Sequence, residues 1–170
     1  MIKIFDDVLN FKFRLHAAQF VYNSQYRIGW DDDNQHRGHS YLHSVYSEED
    51  MVNLGLDAEL KRAGIFNEVS GLTRSKTVVN LSTPADSNFI HVHPGQRVIL
   101  YYANTDWQIN GWHGETLFYN DDLSIRQALP YVPGRIIVFD GEIPHTIRPQ
   151  SHIAPHYRFT LSMFYDTNTR

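Results

Sequence analysis

At 170 residues, with a formal charge of -4 and no cysteine, the chain has the length of one domain able to bury roughly 70% of its unfolded surface. The missing cysteines rule out disulfides, thiolate metal sites and cysteine nucleophiles and fit a reducing compartment, and the lack of a basic stripe argues against nucleic acid and anionic membrane as partners. A hydrophobic fraction of 42% and ordinary charge content suit a globular protein rather than a disordered one.

The opening "MIKIFDDVLNFKF" scatters charges through its apolar residues, so it predicts neither a signal peptide nor a membrane span, and the expected location is cytoplasmic. In "DDVLNFKFRLHAAQFVY", Val8, Leu9, Phe13, Ala17, Phe20 and Val21 recur at three- and four-residue spacing, which predicts an amphipathic helix with a face to cover. The segment "IGWDDDNQHRGHSYLH" follows. His36, His39 and His43 fall on one helical side there, yet Gly38 and the three aspartates favour a solvated loop. "SEEDMVNLGLDAELKRAG" predicts a second helix, opened by Ser47 three residues before Asp50 and closed by Lys61, Arg62 and Gly64.

From Lys76 the texture changes to short β-branched and aromatic runs: "KTVVNLS", "NFIHVH", "RVILYYAN", "GETLFYN", "RIIVFD", "HTIRP" and "YRFTLSMFYD". Pro, Gly, Asn and Asp separate them, the pattern of a sandwich or barrel with closely spaced turns. The expected architecture is mainly β with flanking helices: one domain over 1–170, with helical support over about 1–75 and a β-roll over about 76–166.

Within "NFIHVHPG", His91 and His93 sit at positions i and i+2 of an extended segment, so both imidazoles face the same way. Such a pair is satisfied either by hydrogen bonds in a core or by a metal with a further ligand. His145 offers that ligand, because the strand "RIIVFD" and the turn "GEIP" deliver it to the start of the next strand. Three imidazoles suit iron, zinc, copper or nickel and leave positions open for water or substrate.

The blocks "FIHVH", "VILYYAN", "WHGETLFY", "PGRIIVFDGEIPHTIRP" and "YRFTLSMFY" together resemble, in order, the iron(II)/2-oxoglutarate-dependent dioxygenases, particularly their prolyl-4-hydroxylase-like branch, over roughly residues 76–166. The resemblance implies a double-stranded β-helix (jelly roll) buttressed by the N-terminal helices. It also implies Fe(II), O2 and 2-oxoglutarate as cofactor and co-substrates, and hydroxylation of a prolyl residue, another protein side chain or a small molecule. Carried over by position, His91 and His145 take the imidazole places around the metal. Arg158 holds the distal carboxylate of 2-oxoglutarate, helped by Tyr102 and by Thr160 or Ser162 on its strand face.

One position departs from the family. Its second metal ligand is normally Asp or Glu, and His93 stands there, which leaves the site one unit more positive. The readings open at this point are a triad of His91, His93 and His145, a stand-in carboxylate such as Glu115 or Asp86, or a metal held by only two protein ligands with more solvent. A three-histidine site in a jelly roll also resembles the cupins, as an enzyme or sensor that does not use 2-oxoglutarate. Their first motif, however, has a glutamate four or five residues after the second histidine, where Arg97 and Val98 stand. Trp107, Trp112 and His113 are expected to pack turns, and His152 and His156 to lie in a solvated loop.

Overall fold

The computed structural model describes residues 1–29, 42–84, 86, 89–154 and 157–167. In chain order these form β1 (Ile2–Phe5), α1 (Phe11–Tyr22), β2 (Arg27–Ile28), β3 (Leu42–Tyr46), α2 (Glu48–Leu54) and α3 (Leu56–Arg62). A 3-10 turn over Ile65–Val69 leads to β4 (Thr73–Ser82), β5 (Gln96–Tyr102), α4 (Ile109–Trp112), β6 (Thr116–Tyr119) and β7 (Ile125–Leu129). The last strands are β8 (Ile136–Asp140), β9 (His145–Ile147) and β10 (Arg158–Asp166).

Two antiparallel sheets face each other as a double-stranded β-helix: a seven-stranded one ordered β1-β8-β5-β10-β4-β3-β2 and a three-stranded one ordered β7-β6-β9. Side-chain alternation along the central strands divides the apolar residues into two cores. Ile99 and Tyr101 of β5, Ile136 and Val138 of β8, and Phe159, Leu161 and Met163 of β10 meet the helices through Phe13, Ala17, Val21, Met51 and Leu60. The intervening residues Val98, Leu100, Tyr102, Ile137, Phe139 and Phe164 point the other way and pack between the sheets with Phe118, Trp107, Trp112 and Tyr131. The expected helical buttress therefore covers only the outer face of the large sheet.

The first third is less helical than its sequence suggests. It contributes β1, β2 and β3 to the large sheet, with β1 pairing along β8 and β3 along β4. Strands of two to five residues carry too few alternations to register as a period. α1 begins only at Phe11, where the Asn10 side chain caps it by accepting from the Lys12 N–H at 2.8 Å. The expected second helix is two helices. Its capping box is present, since Asp50 N–H donates to Ser47 Oγ and Ser47 N–H to Asp50 Oδ2, but Gly55 at φ 79° turns the chain between α2 and α3. Among the described residues no helix is long and apolar enough to cross a membrane.

Candidate metal centre

The segment "FIHVH" is not a full strand: it touches its neighbour at one antiparallel bridge, between His91 and His145. Each of these two donates its backbone N–H to the other's carbonyl at 3.0 Å. His93 is then turned off the ladder, its N–H donating to Gly141 O at 2.8 Å just before Pro94. Three imidazoles converge as a result. Their ligand atoms all lie within 4.8 Å of one another, and the ring centres are 4.4 Å (His91–His145), 5.0 Å (His91–His93) and 5.1 Å (His93–His145) apart.

The outer nitrogens orient two of the rings. His145 Nδ1 lies 2.8 Å from Ile143 O and His91 Nδ1 lies 3.1 Å from Phe89 O, so each carbonyl accepts from an Nδ1–H and leaves the Nε2 lone pair for a metal. Among the described residues, no carboxylate belongs to the donor set. Asp86 is occupied by the Thr83 N–H at 2.7 Å and its hydroxyl at 2.8 Å, and Glu115 faces Arg148 at 3.5 Å. Neither candidate stand-in joins the group.

Burial, then the neighbouring His145 and His91, lowers the His93 pKa to about 2; burial, then His91, lowers that of His145 to about 3. Both rings are thus neutral and ready to coordinate at any physiological pH. Below pH 6.5 the unfolded chain takes up protons at these positions while the folded chain does not, so stability falls with pH. Each imidazole contributes a slope of up to about 1.4 kcal/mol per pH unit. Denaturant unfolding of the metal-free protein should show a loss of about 2 kcal/mol between pH 7 and pH 5.5. A flat profile over that range would mean that the rings protonate freely in the fold.

Two turns lock together beneath His93. Gly141 N–H donates to Gln96 O at 2.8 Å and Gly95 N–H to Glu142 Oε1 at 2.8 Å. A Cβ on Gly141 would stand 2.3 Å from His93 O and 2.9 Å from His93 Cβ, too close for either to remain in place. Gly141→Ala should therefore cost about 1–3 kcal/mol of stability and weaken metal binding about 10- to 100-fold, as loss of an outer-shell support does. Gly111→Ala, whose Cβ meets nothing closer than 3.9 Å, is the control that should leave metal titration and unfolding unchanged.

The imidazoles open onto a cavity of about 60 Å³ that is also lined by Asn80, Phe89, Thr116, Thr146, Arg158, Thr160 and Ser162. At 10–15 Å³ per water site it takes about four to six waters, or a small molecule in their place. β10 forms one wall: Arg158, Thr160, Ser162 and Phe164 follow every second residue, and Phe164 packs 4.7 Å from the His93 ring. Arg158 is 1% exposed. Its Nε donates to Gly114 O at 2.8 Å and Nη2 to Thr116 Oγ1 at 3.3 Å, while the guanidinium lies 4.8 Å from the Tyr131 ring centre and 5.3 Å from that of Tyr102. Among the described residues no carboxylate pairs with it, so a buried positive charge faces the cavity without a counter-ion. Tyr102 sits under the guanidinium rather than on the cavity wall, its hydroxyl 2.5 Å from Thr116 Oγ1. Burial raises its pKa, so it stays a neutral phenol.

Three wall residues escaped the sequence reading. Asn80 donates to Ser162 Oγ at 3.3 Å and keeps a buried Oδ1, and Thr146 a buried Oγ1, that have no partner among the described residues. Thr116 bridges Arg158 and Tyr102. These are small polar residues on strands, and nothing but their register marks them. The tryptophans pack as expected, edge to face at 5.4 Å, with Trp107 Nε1–H donating to His113 O at 2.8 Å. His43 lies on β3 away from the triad, and His152 is exposed. His36, His39 and His156 lie outside the described residues, as does most of the loop after Gly29.

Neither a family model nor a curated protein matches the chain by sequence. Solved structures do match by fold. A prolyl hydroxylase from Trichoplax adhaerens, in complex with a hypoxia inducible factor peptide, superposes with a TM-score of 0.74 at 17% identity over 98% of this chain and 83% of its own. HygX from Streptomyces hygroscopicus, with nickel and 2-oxoglutarate bound, gives 0.70 at 10% identity over 97% and 82%. A prolyl-4-hydroxylase from Pseudomonas putida gives 0.67 at 14% identity over 98% and 92%.

Proposed function

We propose that this chain, whose fold is that of the 2-oxoglutarate- and iron(II)-dependent oxygenases, is itself a non-haem iron oxygenase using 2-oxoglutarate. The observation that carries the reading is a single cavity bordered by three imidazoles and by a buried arginine with no acidic partner among the described residues. That pairing suits a ligand with a metal-binding end and a carboxylate end. Iron with bound 2-oxoglutarate and O2 supplies the oxidative decarboxylation to succinate and carbon dioxide that is coupled to hydroxylation of a C–H bond.

The protein's own residues would do the positioning. His91, His93 and His145 would hold the metal, with Phe89 O and Ile143 O fixing the orientation of two of the rings. Arg158 would hold the distal carboxylate as a planar fork, with Thr116, Thr160 and Ser162 offering hydroxyls along the wall. Phe89, Val98, Leu100, Phe139 and Phe164 keep that wall apolar and limit the entry of water. The hydroxylated substrate is taken to be a peptide side chain or a small molecule.

The second reading is a cupin-like enzyme or sensor that binds metal without 2-oxoglutarate, favoured by a donor set that, among the described residues, holds no carboxylate. Adding 2-oxoglutarate anaerobically to the iron-loaded protein separates the two. The oxygenase reading expects a weak visible charge-transfer band and, in air, succinate formed in step with iron. Metal binding with no such band and no succinate would leave the cupin-like reading in its place.

A further inference from the structure

On the opposite face of the large sheet, a pocket of about 260 Å³ lies between the end of α1, the residues after β5 and the start of β10. Phe159, adjacent in sequence to Arg158, belongs to this side and is 6% exposed. Tyr22 and Tyr157 also line the pocket, 69% and 53% exposed, so two large rings border it with much of their surface open to solvent. Their ring centres lie 6.3 and 6.5 Å from that of Phe159, with planes inclined by 64° and 84°. Rings so steeply inclined enclose a corner rather than stacking flat.

The charge of this corner is one-sided. Among the described residues, Asp106 is the single ionisable acid that lines the pocket, no basic side chain lines it, and Asp106 has no ion-pair partner. The walls are also held in advance of any ligand. Buried Asn104 donates from Nδ2 to Tyr157 O at 2.8 Å, and its Oδ1 accepts from the Phe159 N–H at 2.8 Å, fixing both backbones. A cation entering this pocket would be attracted by any aromatic face within roughly 6 Å of it, and Asp106 on the same lining would offer it a carboxylate.

We propose that this pocket binds a small organic cation of the quaternary-ammonium class. The site is separate from the histidine cavity and does not depend on the oxygenase reading. The charge must drive the binding, which sets the test: calorimetric titration of the whole protein with choline and with 3,3-dimethylbutan-1-ol, a neutral molecule of the same shape. Choline should bind at least about tenfold more tightly than the alcohol, and Tyr157→Leu should weaken it about tenfold while Tyr157→Phe keeps most of the affinity. Asp106→Asn should weaken choline and leave the alcohol alone. Both changes fall on exposed side chains, and thermal unfolding verifies the fold. Equal affinity for the two probes, no choline binding, or a choline affinity indifferent to Tyr157→Leu would overturn the proposal.

Discussion

Arg158→Met should lower the affinity for 2-oxoglutarate by at least about 100-fold and leave the ligand-free protein as stable as before or more so. The first effect follows from removing the charged half of a buried, hydrogen-bonded ion pair, which costs about 2–5 kcal/mol. The second follows from the state without ligand. Arg158 is 1% exposed, its guanidinium donates to Gly114 O and Thr116 Oγ1 beside the rings of Tyr102 and Tyr131, and no carboxylate among the described residues pairs with it. An uncompensated buried charge is a liability to the fold, and exchanging it for an apolar side chain of similar size is neutral or stabilising by about 1–4 kcal/mol. Calorimetric melting with and without 2-oxoglutarate and Mn(II) reads both effects. The wild type should gain stability from the ligand and the variant should not. A large loss of stability in the ligand-free variant would show instead that Arg158 is a structural residue.

His145→Ala should reduce affinity for Fe(II) or Zn(II) about 1,000-fold, beyond the 10- to 100-fold that follows loss of an outer-shell partner. The fold should survive, because the bridge between residues 91 and 145 runs through the backbone, which alanine keeps. The ring packs 4.8 Å from Phe139 and 6.0 Å from Phe118, so the vacated space costs about 1–3 kcal/mol. His93→Asp is the informative contrast. It retains a donor and makes the site one unit less positive, so Fe(II) affinity measured by chelator competition should hold or rise. If both substitutions leave metal affinity unchanged, the three imidazoles are a hydrogen-bonded core cluster.

The sequence makes the second half of the fold legible because its long strands repeat cleanly. β10 alternates Arg158, Thr160, Ser162 against Phe159, Leu161, Met163, and the two sets face opposite sides. The convergence of His91, His93 and His145 could be anticipated from i, i+2 geometry and one long-range pairing. β1 and β3 could not, since four or five residues that gain their partners only in the sheet leave no local signal. Asn80 and Thr146 were hidden for a related reason: their side chains acquire meaning only once register places them on the cavity wall. Gly55 was visible as a residue, yet its effect on a well-patterned helix depends on a left-handed φ that the pattern does not encode.

Residues 91 and 145 are tied to each other by reciprocal N–H to carbonyl contacts, and residue 93 by the contact of its N–H with Gly141 O. Every one of those contacts is indifferent to the side chain it carries. Donor identity can therefore drift, imidazole for carboxylate or the reverse, with no rebuilding of the backbone that spaces the donors. If the three imidazoles hold a metal as proposed, such a scaffold would let its metal preference change one substitution at a time.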